Sequence, residues 1–132
     1  GAVEEMRRWT TPVVSFMRTA TRDVEVGGEV LRAGDPVLML WASANRDSAD
    51  LVDDSDEFRI DREKNRHLGF GIGEHFCLGA NLARRSQRAL LLELSRRLEF
   101  AELAGDPEQI QSSFVVGLKH LPIHYRVRPA TV

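Results

Sequence analysis

The sequence FGIGEHFCLG occupies residues 70–79 and places the chain's only cysteine, Cys77, between glycines and directly before a predicted helix. Unpaired backbone N–H groups and the helix dipole stabilise an anion at a helix N-terminus, so a thiolate is favoured at Cys77. Gly73 and Gly79 allow the backbone to approach a flat ligand closely and to turn its amides toward the sulfur. The pattern therefore predicts a loop that cradles a planar cofactor.

Two simpler interpretations of the cysteine were weighed against this one. A free cysteine taken alone is more often an inert buried thiol than a ligand, and only the glycine frame reverses that expectation. A structural zinc site normally needs four ligands, whereas the sequence has no second cysteine and no cysteine-spaced pair of histidines. Haem needs only one ligand of this kind, so the residues favour haem over zinc.

The composition indicates one globular domain. The 132 residues are 42% hydrophobic, enough for a modest core. Lys and Arg total 18 against 20 Asp and Glu, and the formal charge of −2 predicts no general attraction to nucleic acid or anionic lipid. The single cysteine excludes an internal disulfide and fits a reducing compartment, which makes the cytoplasm the expected location. We expect no membrane span and no secretion signal, because the apolar runs are short and the N-terminal residues lack a basic and an apolar region.

The part of the chain before the cysteine loop predicts a short helix followed by a small antiparallel sheet. Good helix formers without a breaker predict the helix over residues 2–9, ended by Thr10, Thr11 and Pro12. Alternation and turn residues predict strands at 13–20, 23–26, 29–32 and 37–41, and a second helix at 42–49. Residues 50–69 are charged and irregular, and a loop of that length requires a functional reason.

The part after the cysteine loop predicts one long helix and a terminal hairpin. Leucines recur at helical spacing over residues 80–100 with arginines opposite, and a single apolar stripe is normally buried internally. This core stripe comprises Leu82, Leu90, Leu94 and Leu98. Apolar residues at 114–116 and 123–127 predict terminal strands around Gly117 and Pro122.

The cysteine loop resembles the Phe-x-x-Gly-x-x-x-Cys-x-Gly motif of the cytochrome P450 family at Phe70, Gly73, Cys77 and Gly79. The resemblance implies an α+β fold, the C-terminal portion of the mainly α cytochrome P450 fold, with residues 1–132 as a single haem-ligating segment. Its expected elements are a short K-type helix, a small antiparallel sheet, a meander loop, the cysteine-ligand loop, a long L-type helix and a terminal β-hairpin. The implied cofactor is haem b, iron protoporphyrin IX, with Cys77 as catalytic and metal ligand.

Two further motifs extend the resemblance over the whole chain. Glu5 and Arg8 resemble the Glu-x-x-Arg of the K helix, and Arg62 stands at the place of the meander arginine. The resemblance implies a structural ion triad of these three residues that holds the irregular loop. Taken alone, Glu5 and Arg8 would be an exposed helical pair worth about 0.3 to 0.5 kcal/mol.

The resemblance also implies which residues contact the haem. Arg18 and His75 correspond to residues that bind its propionates, and a guanidinium suits a carboxylate. Phe70 would pack beside the thiolate and limit water, and Gly71 belongs to the same cofactor-binding loop as Gly73 and Gly79. Without the family, Arg18 could equally be a solvated strand-edge charge and His75 a loop histidine satisfied by backbone.

Apolar residues and arginines indicate the expected partners. Five apolar residues occupy the places of two substrate-contacting segments and favour a lipophilic substrate, in the manner of bacterial members that oxidise lipids or sterols. They are Val13, Val14, Phe16, Val115 and Val116. Arg84 and Arg85 lie where the family's L helix borders the face on which an acidic, ferredoxin-type electron donor docks. Such a run of arginines is more commonly the solvated face of an amphipathic helix.

The implied activity is that of a bacterial monooxygenase that inserts one oxygen atom of O2 into a lipophilic substrate. The chain alone is expected to be inactive, because nothing in it resembles the family's central helix with an acid and a threonine. One alternative is a truncated, non-catalytic remnant that folds without haem and self-associates through uncovered apolar residues. Another is a peroxide-using or sensing haem-thiolate protein. The sequence departs from the family in lacking a meander proline at 51–55 and in carrying an acid at Glu74.

Overall fold

The computed structural model describes residues 1–48 and 54–129. These residues form helices and short antiparallel sheets, which confirms the α+β class. In chain order the elements are α1 (Ala2–Thr10), β1 (Ser15–Thr19), β2 (Val24–Val26), β3 (Glu29–Leu31), β4 (Pro36–Leu40), α2 (Trp41–Ala44), a 3₁₀ turn (Gly73–His75), α3 (Ala80–Arg97), β5 (Leu98–Leu103), β6 (Glu108–Gln109), β7 (Leu118–His120) and β8 (Ile123–Val127).

Helix α1 confirms the predicted N-terminal helix. Acidic residues lie in its first turn and Arg7 and Arg8 in its last, which complements the helix dipole at both ends. Thr11 ends the helix in the left-handed region at φ 36°, where its N–H donates to the Arg7 carbonyl at 3.0 Å. Pro12 follows and cannot continue the helix.

The strands before the cysteine loop form two separate pairs rather than one sheet. Strands β2 and β3 form the predicted hairpin, whose turn needs the positive φ of Gly27 (61°) and Gly28 (87°). Strand β1 pairs with β4, with Phe16 opposite Met39. The hairpin stands apart because the turn at Gly34 folds back onto the end of β1, where the Gly34 N–H donates to the Ala20 carbonyl at 2.8 Å.

Helix α2 is shorter than the helix predicted over 42–49. It ends at Ala44, because the next residue, Asn45, uses its side chain to bind two other segments. Its Nδ2 donates to Thr11 Oγ1 at 2.9 Å, and its Oδ1 accepts the Leu68 N–H at 2.6 Å. The end of the predicted range, at Ala49, lies outside the described residues, as do Leu51 and Val52 of the expected meander.

The strands after α3 pair differently from the expected terminal hairpin. The predicted helix over 80–100 ends at Arg97, and Leu98 already belongs to β5 with a ψ of 115°. Strand β8 pairs with β5 and β7 pairs with β6, so Pro122 separates two ladders instead of turning one hairpin. The expected strand at 114–116 is reduced to one bridge, between Val115 and Val13.

The buried residues of the described chain are mostly polar. Three apolar residues are buried, namely Val3, Phe70 and Ala80, alongside the polar Glu5, Arg8, Thr11, Asn45, Ser55 and Arg62. The expectation that the leucine stripe of α3 is core is wrong for this chain: the exposed fractions are 70% for Leu82 and 58% for Leu90, and Leu98 is exposed as well. Among the described elements, α3 meets mainly the nine-residue α1 and the strand β5 that follows it, and these leave much of the stripe uncovered. Among the described residues no helix has both the length and the apolar character needed to cross a bilayer.

Candidate functional site

The cysteine loop is closed on itself by backbone hydrogen bonds. The Cys77 N–H donates to the Phe70 carbonyl at 2.9 Å, and the Phe76 N–H donates to the Gly73 carbonyl at 3.0 Å across the 3₁₀ turn. The Ala80 N–H donates to the Cys77 carbonyl at 3.2 Å, which joins the loop to the first turn of α3. The free thiol of Cys77 is exposed. The loop therefore presents the sulfur from a fixed backbone.

Three glycines have distinct roles in this loop. Gly71 and Gly73 adopt φ of 73° and 72°, in the left-handed region that favours glycine. Gly79 has an ordinary φ of −82°, but a Cβ there would lie 3.9 Å from Cys77 Sγ. Gly71 and Gly73 thus allow the turn, and Gly79 keeps the space beside the sulfur free of a side chain.

The sulfur lies in the wall of a cavity of about 930 Å³. The lining includes eight of the predicted site residues: Val13, Phe16, Arg18, Phe70, Gly71, His75, Cys77 and Gly79. Four predicted residues, Val14, Gly73, Val115 and Val116, do not line it. Val14 and Val115 lie just behind the wall, since Val115 bridges Val13 and the Val14 N–H donates to the Phe114 carbonyl at 2.9 Å.

Sequence reasoning missed several residues of this cavity. They are Arg7, Met39, Trp41, Leu68, Gly69, Ile72 and Ala83, whereas Pro12, which also lines the cavity, begins the expected substrate-contacting segment of residues 12–17. Met39 and Trp41 reach the cavity because β4 lies beside β1, a pairing that no local pattern specifies. Arg7 is the neighbour of the predicted Arg8 in α1. Successive residues of a helix point in different directions, so the helical period could have predicted that Arg7 faces away from the ion cluster.

The residues of the cavity fit a haem. One thiol sulfur is the donor, and most of the other wall residues are apolar or glycine, as a porphyrin face requires. Arg18 and His75 line the same cavity and can meet carboxylates at the edge of such a ring. The Arg18 guanidinium donates to the Met17 carbonyl at 2.9 Å and lies 5.3 Å from the Phe16 ring, so it is not spent on an ion pair among the described residues. Within those residues no group of three or more His, Cys, Asp or Glu side chains is placed to hold a metal ion.

Glu5, Arg8 and Arg62 meet in a buried ion cluster. Arg8 donates from Nε and Nη2 to the two carboxylate oxygens of Glu5 at 2.9 and 2.8 Å. Arg62 Nε donates to Glu5 Oε2 at 3.2 Å. The Arg59 N–H at 2.7 Å and Asn65 Nδ2 at 2.8 Å complete five hydrogen bonds to this carboxylate. The pair expected to be exposed in the simplest interpretation is fully buried.

The same arginines bind the irregular loop through its backbone. Arg8 Nη1 donates to the carbonyls of Asn45 and Ser55 at 2.9 and 2.6 Å, and its Nη2 donates to the Glu57 carbonyl at 2.8 Å. Arg62 Nη2 donates to the Glu57 carbonyl at 3.1 Å and pairs through Nη1 with the Asp54 carboxylate. The described part of the loop contains few buried apolar residues, and hydrogen bonds from guanidinium groups to its backbone hold it in place instead.

Burial alone would raise the pKa of Glu5. The hydrogen bonds from Arg8 and from the Arg59 amide, together with the positive charges of Arg8 and Arg62, outweigh burial and lower this pKa to about 2. The carboxylate is thus ionised at neutral pH, and together with Asp54 it balances the charges of the Arg8 and Arg62 guanidinium groups.

The comparison with family models agrees with this geometry: the model described as Cytochrome P450 matches residues 1–127. The chain belongs to the cytochrome P450 family. P450 proteins bind haem through a cysteine thiolate, the role that the exposed sulfur of Cys77 fits. The expected order of K-type helix, meander, cysteine loop and L-type helix corresponds here to α1, residues 50–69, residues 70–79 and α3.

Curated and solved P450 proteins resemble the chain over most of its length. Cytochrome P450-terp from a Pseudomonas species is 46% identical over 123 residues, and the methyl-branched lipid omega-hydroxylase of Mycobacterium bovis is 46% identical over 123 residues. These matches cover 93% and 92% of this chain and 28% of each relative. The crystal structure of CYP108D1 from Novosphingobium aromaticivorans matches with a TM-score of 0.86 and 45% identity, over 95% of this chain and 30% of that one. The chain therefore spans less than a third of the length of each of these three P450 chains.

The two arginines predicted to face an electron donor have different surroundings in the L-type helix. Arg84 is only partly exposed and forms a bidentate ion pair with Glu4 of α1, with Nε–Oε1 at 2.8 Å and Nη2–Oε2 at 2.9 Å. Arg85 is exposed, and no hydrogen bond or ion pair joins it to the described residues. The charge of Arg84 is thus paired within the chain, whereas the side chain of Arg85 is available at the surface.

Proposed function

We propose that the protein containing this chain is a haem-thiolate monooxygenase that inserts one atom of O2 into a lipophilic substrate. The observation that carries the proposal is the exposed Cys77 sulfur in the wall of an apolar cavity of about 930 Å³ that Arg18 and His75 also line. A single sulfur beside apolar walls and two groups suited to carboxylates is what a haem with propionates requires.

The chain's own residues would bind and orient haem b. Cys77 would be its axial ligand, and the loop closed by Phe70 and Gly73 would hold that sulfur in place. Arg18 and His75 would bind the propionates, and Gly71 and Gly79 would leave room for the ring. When bound, the haem supplies the activation of O2 and the transfer of one oxygen atom.

A lipophilic substrate fits the opposite wall of the cavity. Val13, Phe16 and Met39 contribute apolar surface from the β1–β4 pair and the chain leading into it. Val14, Val115 and Val116 would support this wall from behind, where Phe114 packs edge to face on Phe16 at 5.2 Å. The name of the methyl-branched lipid omega-hydroxylase, a 46% identical relative, supports the same class of substrate.

An acidic electron donor of the ferredoxin type is the partner that fits the arginine-bearing face of α3. Arg85 is exposed there and would contact the donor directly, while Arg84 would contribute mainly through its position, because Glu4 neutralises its charge. Such docking weakens as salt rises, since it depends on exposed charges.

The test is the absorption spectrum of the reduced carbon monoxide complex of the haem-loaded protein. We expect the red-shifted band of a thiolate-ligated haem in the wild type and its loss in Cys77→Ser. Glu74→Gln is the matched control, because it changes an exposed residue of the same loop and leaves the sulfur in place. A wild-type spectrum without the red shift, or an unchanged spectrum in Cys77→Ser, would contradict the proposal.

One observation favours a second candidate, a segment that self-associates without haem. Large apolar side chains are exposed along the β1–β4 pair beside the cavity and along α3, including Met17, Leu38, Leu82 and Leu90. Size-exclusion chromatography of the 132-residue chain mixed with haem separates the candidates. A colourless dimer supports self-association, and a monomer with one equivalent of bound haem supports the haem site.

A further inference from the structure

Outside the buried ion cluster, the carboxylate of one residue, Glu4, binds two side chains from distant segments of the chain. Glu4 of α1 accepts hydrogen bonds from Arg84 of α3 at 2.8, 3.0 and 2.9 Å. The Nε2 of His67, just before the cysteine loop, lies 3.0 Å from Glu4 Oε2. We call these three residues the Glu4 cluster. It joins the K-type helix, the approach to the cysteine loop and the L-type helix at one point.

The hydrogen bonds of His67 fix its tautomer. Its Nδ1 accepts the Gly69 N–H at 3.0 Å, so the ring proton is on Nε2 and is donated to Glu4. The His67 side chain is 2% exposed, and burial is the main cause that lowers its pKa. Neutral His67 is therefore a fixed link from the carboxylate to the backbone two residues later.

The backbone at Gly69 packs tightly against both His67 and α1. A Cβ on Gly69 would lie 3.1 Å from His67 Nδ1 and 3.2 Å from the Arg7 carbonyl oxygen, tighter than side chains normally allow. The backbone passes between α1 and the imidazole at a position where a larger residue would push one of them away.

The Glu4 cluster also encloses the Phe70 ring. The Arg84 guanidinium lies 4.5 Å from the ring centroid, the Arg7 guanidinium 5.0 Å from it, and the His67 ring 5.9 Å. Phe70 is 8% exposed and lines the cofactor cavity, and its carbonyl accepts the Cys77 N–H at 2.9 Å. Two cations against one ring would be repelled from each other, and Glu4 supplies the negative charge that stabilises the arrangement.

We propose that Glu4, His67 and Arg84 are positioning residues that fix Phe70 and the backbone of Cys77, and that Glu4 cancels the charge of Arg84, so that the pair adds no net charge beside the cysteine loop. This inference deepens the proposed function and rests on it. It assigns Arg84 to the support of Phe70 from outside the cavity, whereas its sequence position suggested a docking contact for the electron donor.

The charge balance gives the two members of the pair opposite effects on the haem. Reduction of ferric to ferrous haem adds one negative charge at the site, so a more positive surrounding favours the reduced form. Glu4→Gln leaves the Arg84 charge uncompensated and is expected to raise the midpoint potential. Arg84→Met keeps an apolar stem against Phe70 but leaves Glu4 uncompensated, and is expected to lower it. The double variant is expected to return near the wild-type potential.

The experiment is a reductive titration of the haem-loaded, full-length protein at low salt, in the wild type and the three variants. Arg96→Gln is the matched control: it removes an arginine of the same helix whose side chain is 70% exposed and whose carboxylate partner, Glu93, is 3.9 Å away. A purely structural role would loosen the loop in every variant and shift all three potentials in the same direction. Shifts of one sign, or no shift in Glu4→Gln, would overturn the proposal.

Arg84→Lys separates position from charge. Lysine keeps the positive charge but cannot form the bidentate pair or lie flat on Phe70. We expect a potential close to that of the wild type together with a several-fold faster loss of the red-shifted carbon monoxide band under mild urea. If Arg84→Met fails to take up haem, the variants Glu4→Gln and Arg84→Lys decide the question. A raised midpoint potential in Glu4→Gln together with an unchanged potential in Arg84→Lys supports the proposal. Any other pair of results contradicts it.

The outcomes also separate this inference from the function on which it rests. A wild-type protein without the thiolate-type band removes the proposed function itself. A wild-type protein with that band, whose variants of the Glu4 cluster behave like Arg96→Gln, removes only the positioning role.

Discussion

Glu5 is a single residue on which the shape of a long irregular segment depends. Its carboxylate has no exposed surface and is bound by Arg8, by Arg62 and by Asn65 across as many as 60 residues of sequence. A buried ion cluster of this kind adds little stability relative to apolar residues, because removing charges from water is costly. Its contribution is geometric, because each donor must lie at a fixed position around the carboxylate. The loop that carries these donors is held in one conformation as a result.

Glu5→Gln is expected to destabilise the protein by about 3 to 5 kcal/mol, because it leaves the buried Arg8 guanidinium without its carboxylate partner and leaves Arg62 with Asp54 alone. The measurement is the free energy of unfolding from urea titration at neutral pH. Glu25→Gln is the control, since Glu25 lies exposed on β2. A loss of less than about 1 kcal/mol, equal to that of the control, would show that the cluster does not hold the loop.

The same residue predicts how stability falls in acid. Since the pKa of Glu5 is lowered from 4.5 to about 2 in the folded protein, its contribution is complete above the unfolded pKa and is lost as pH falls from about 4.5 toward 2. We expect wild-type stability to decline over this range more steeply than that of Glu5→Gln, whose side chain does not titrate. Urea midpoints of both proteins at pH 5, 4 and 3 test the difference, and parallel curves would contradict the assignment.

Among the elements, the cysteine loop shows how a short segment can be rigid without a helix or strand of its own. Its backbone is closed by the Cys77 to Phe70 hydrogen bond, and two of its glycines take conformations that other residues avoid. The turn and the ligand position are therefore encoded by the same few residues.

Gly73→Ala is expected to lower the stability of this loop by about 1 to 2 kcal/mol through backbone strain alone, because φ is 72° and no atom lies within 4 Å of the added Cβ. Gly28→Ala is a matched control: it is equally strained, at φ 87° and in open space, but lies in the β2–β3 hairpin. Haem transfer to apomyoglobin is the readout. We expect faster transfer from Gly73→Ala and an unchanged rate from Gly28→Ala, and equal rates in the two variants would contradict a local effect.

The elements also show what could be predicted from the sequence. Helix α1, the β2–β3 hairpin and most of α3 were predicted because their signals are local, in periodicity, turn glycines and breakers. The pairing of β5 with β8 was not, because partner choice depends on contacts between residues 20 to 29 positions apart. In the site, the motif around Cys77 indicated the cavity, whereas the link from His67 to Glu4 spans 63 residues and has no sequence signal.

On the scale of the whole molecule, the described residues bury more polar and charged residues than apolar ones and leave many large apolar side chains exposed. Val3, Phe70 and Ala80 are its buried apolar residues, while leucines of α3 and strand residues around the cavity are exposed. The chain spans 28% of the length of cytochrome P450-terp and of the methyl-branched lipid omega-hydroxylase, so we expect the rest of a P450 fold to cover these faces. This also explains why the core predicted from the leucine spacing of α3 is absent from the described residues.

Leu90→Glu is expected to act in opposite directions in two contexts. In the isolated chain, where Leu90 is 58% exposed, the charge should weaken self-association, measured by sedimentation velocity. In the full-length protein, where we expect this face to be covered, burial of an unpaired carboxylate should lower stability by several kcal/mol, on the order of a buried charge without a partner. Ser86→Glu, at an exposed position of the same helix, is the control. A full-length protein that tolerates Leu90→Glu would show that this face of α3 remains in water.

The long reach of the buried ion cluster has a consequence during synthesis on the ribosome. Helix α1 emerges with Glu5 and Arg8 already side by side, but Arg62 follows 57 residues later and Asn65 60 residues later. At bacterial elongation rates of about 5 to 20 residues per second, the nascent helix waits roughly 3 to 12 seconds for its remaining partners. During that interval the Glu5 and Arg8 side chains must remain hydrated. Docking of the meander onto α1 is therefore a late step, and a pause in translation after residue 65 would favour it.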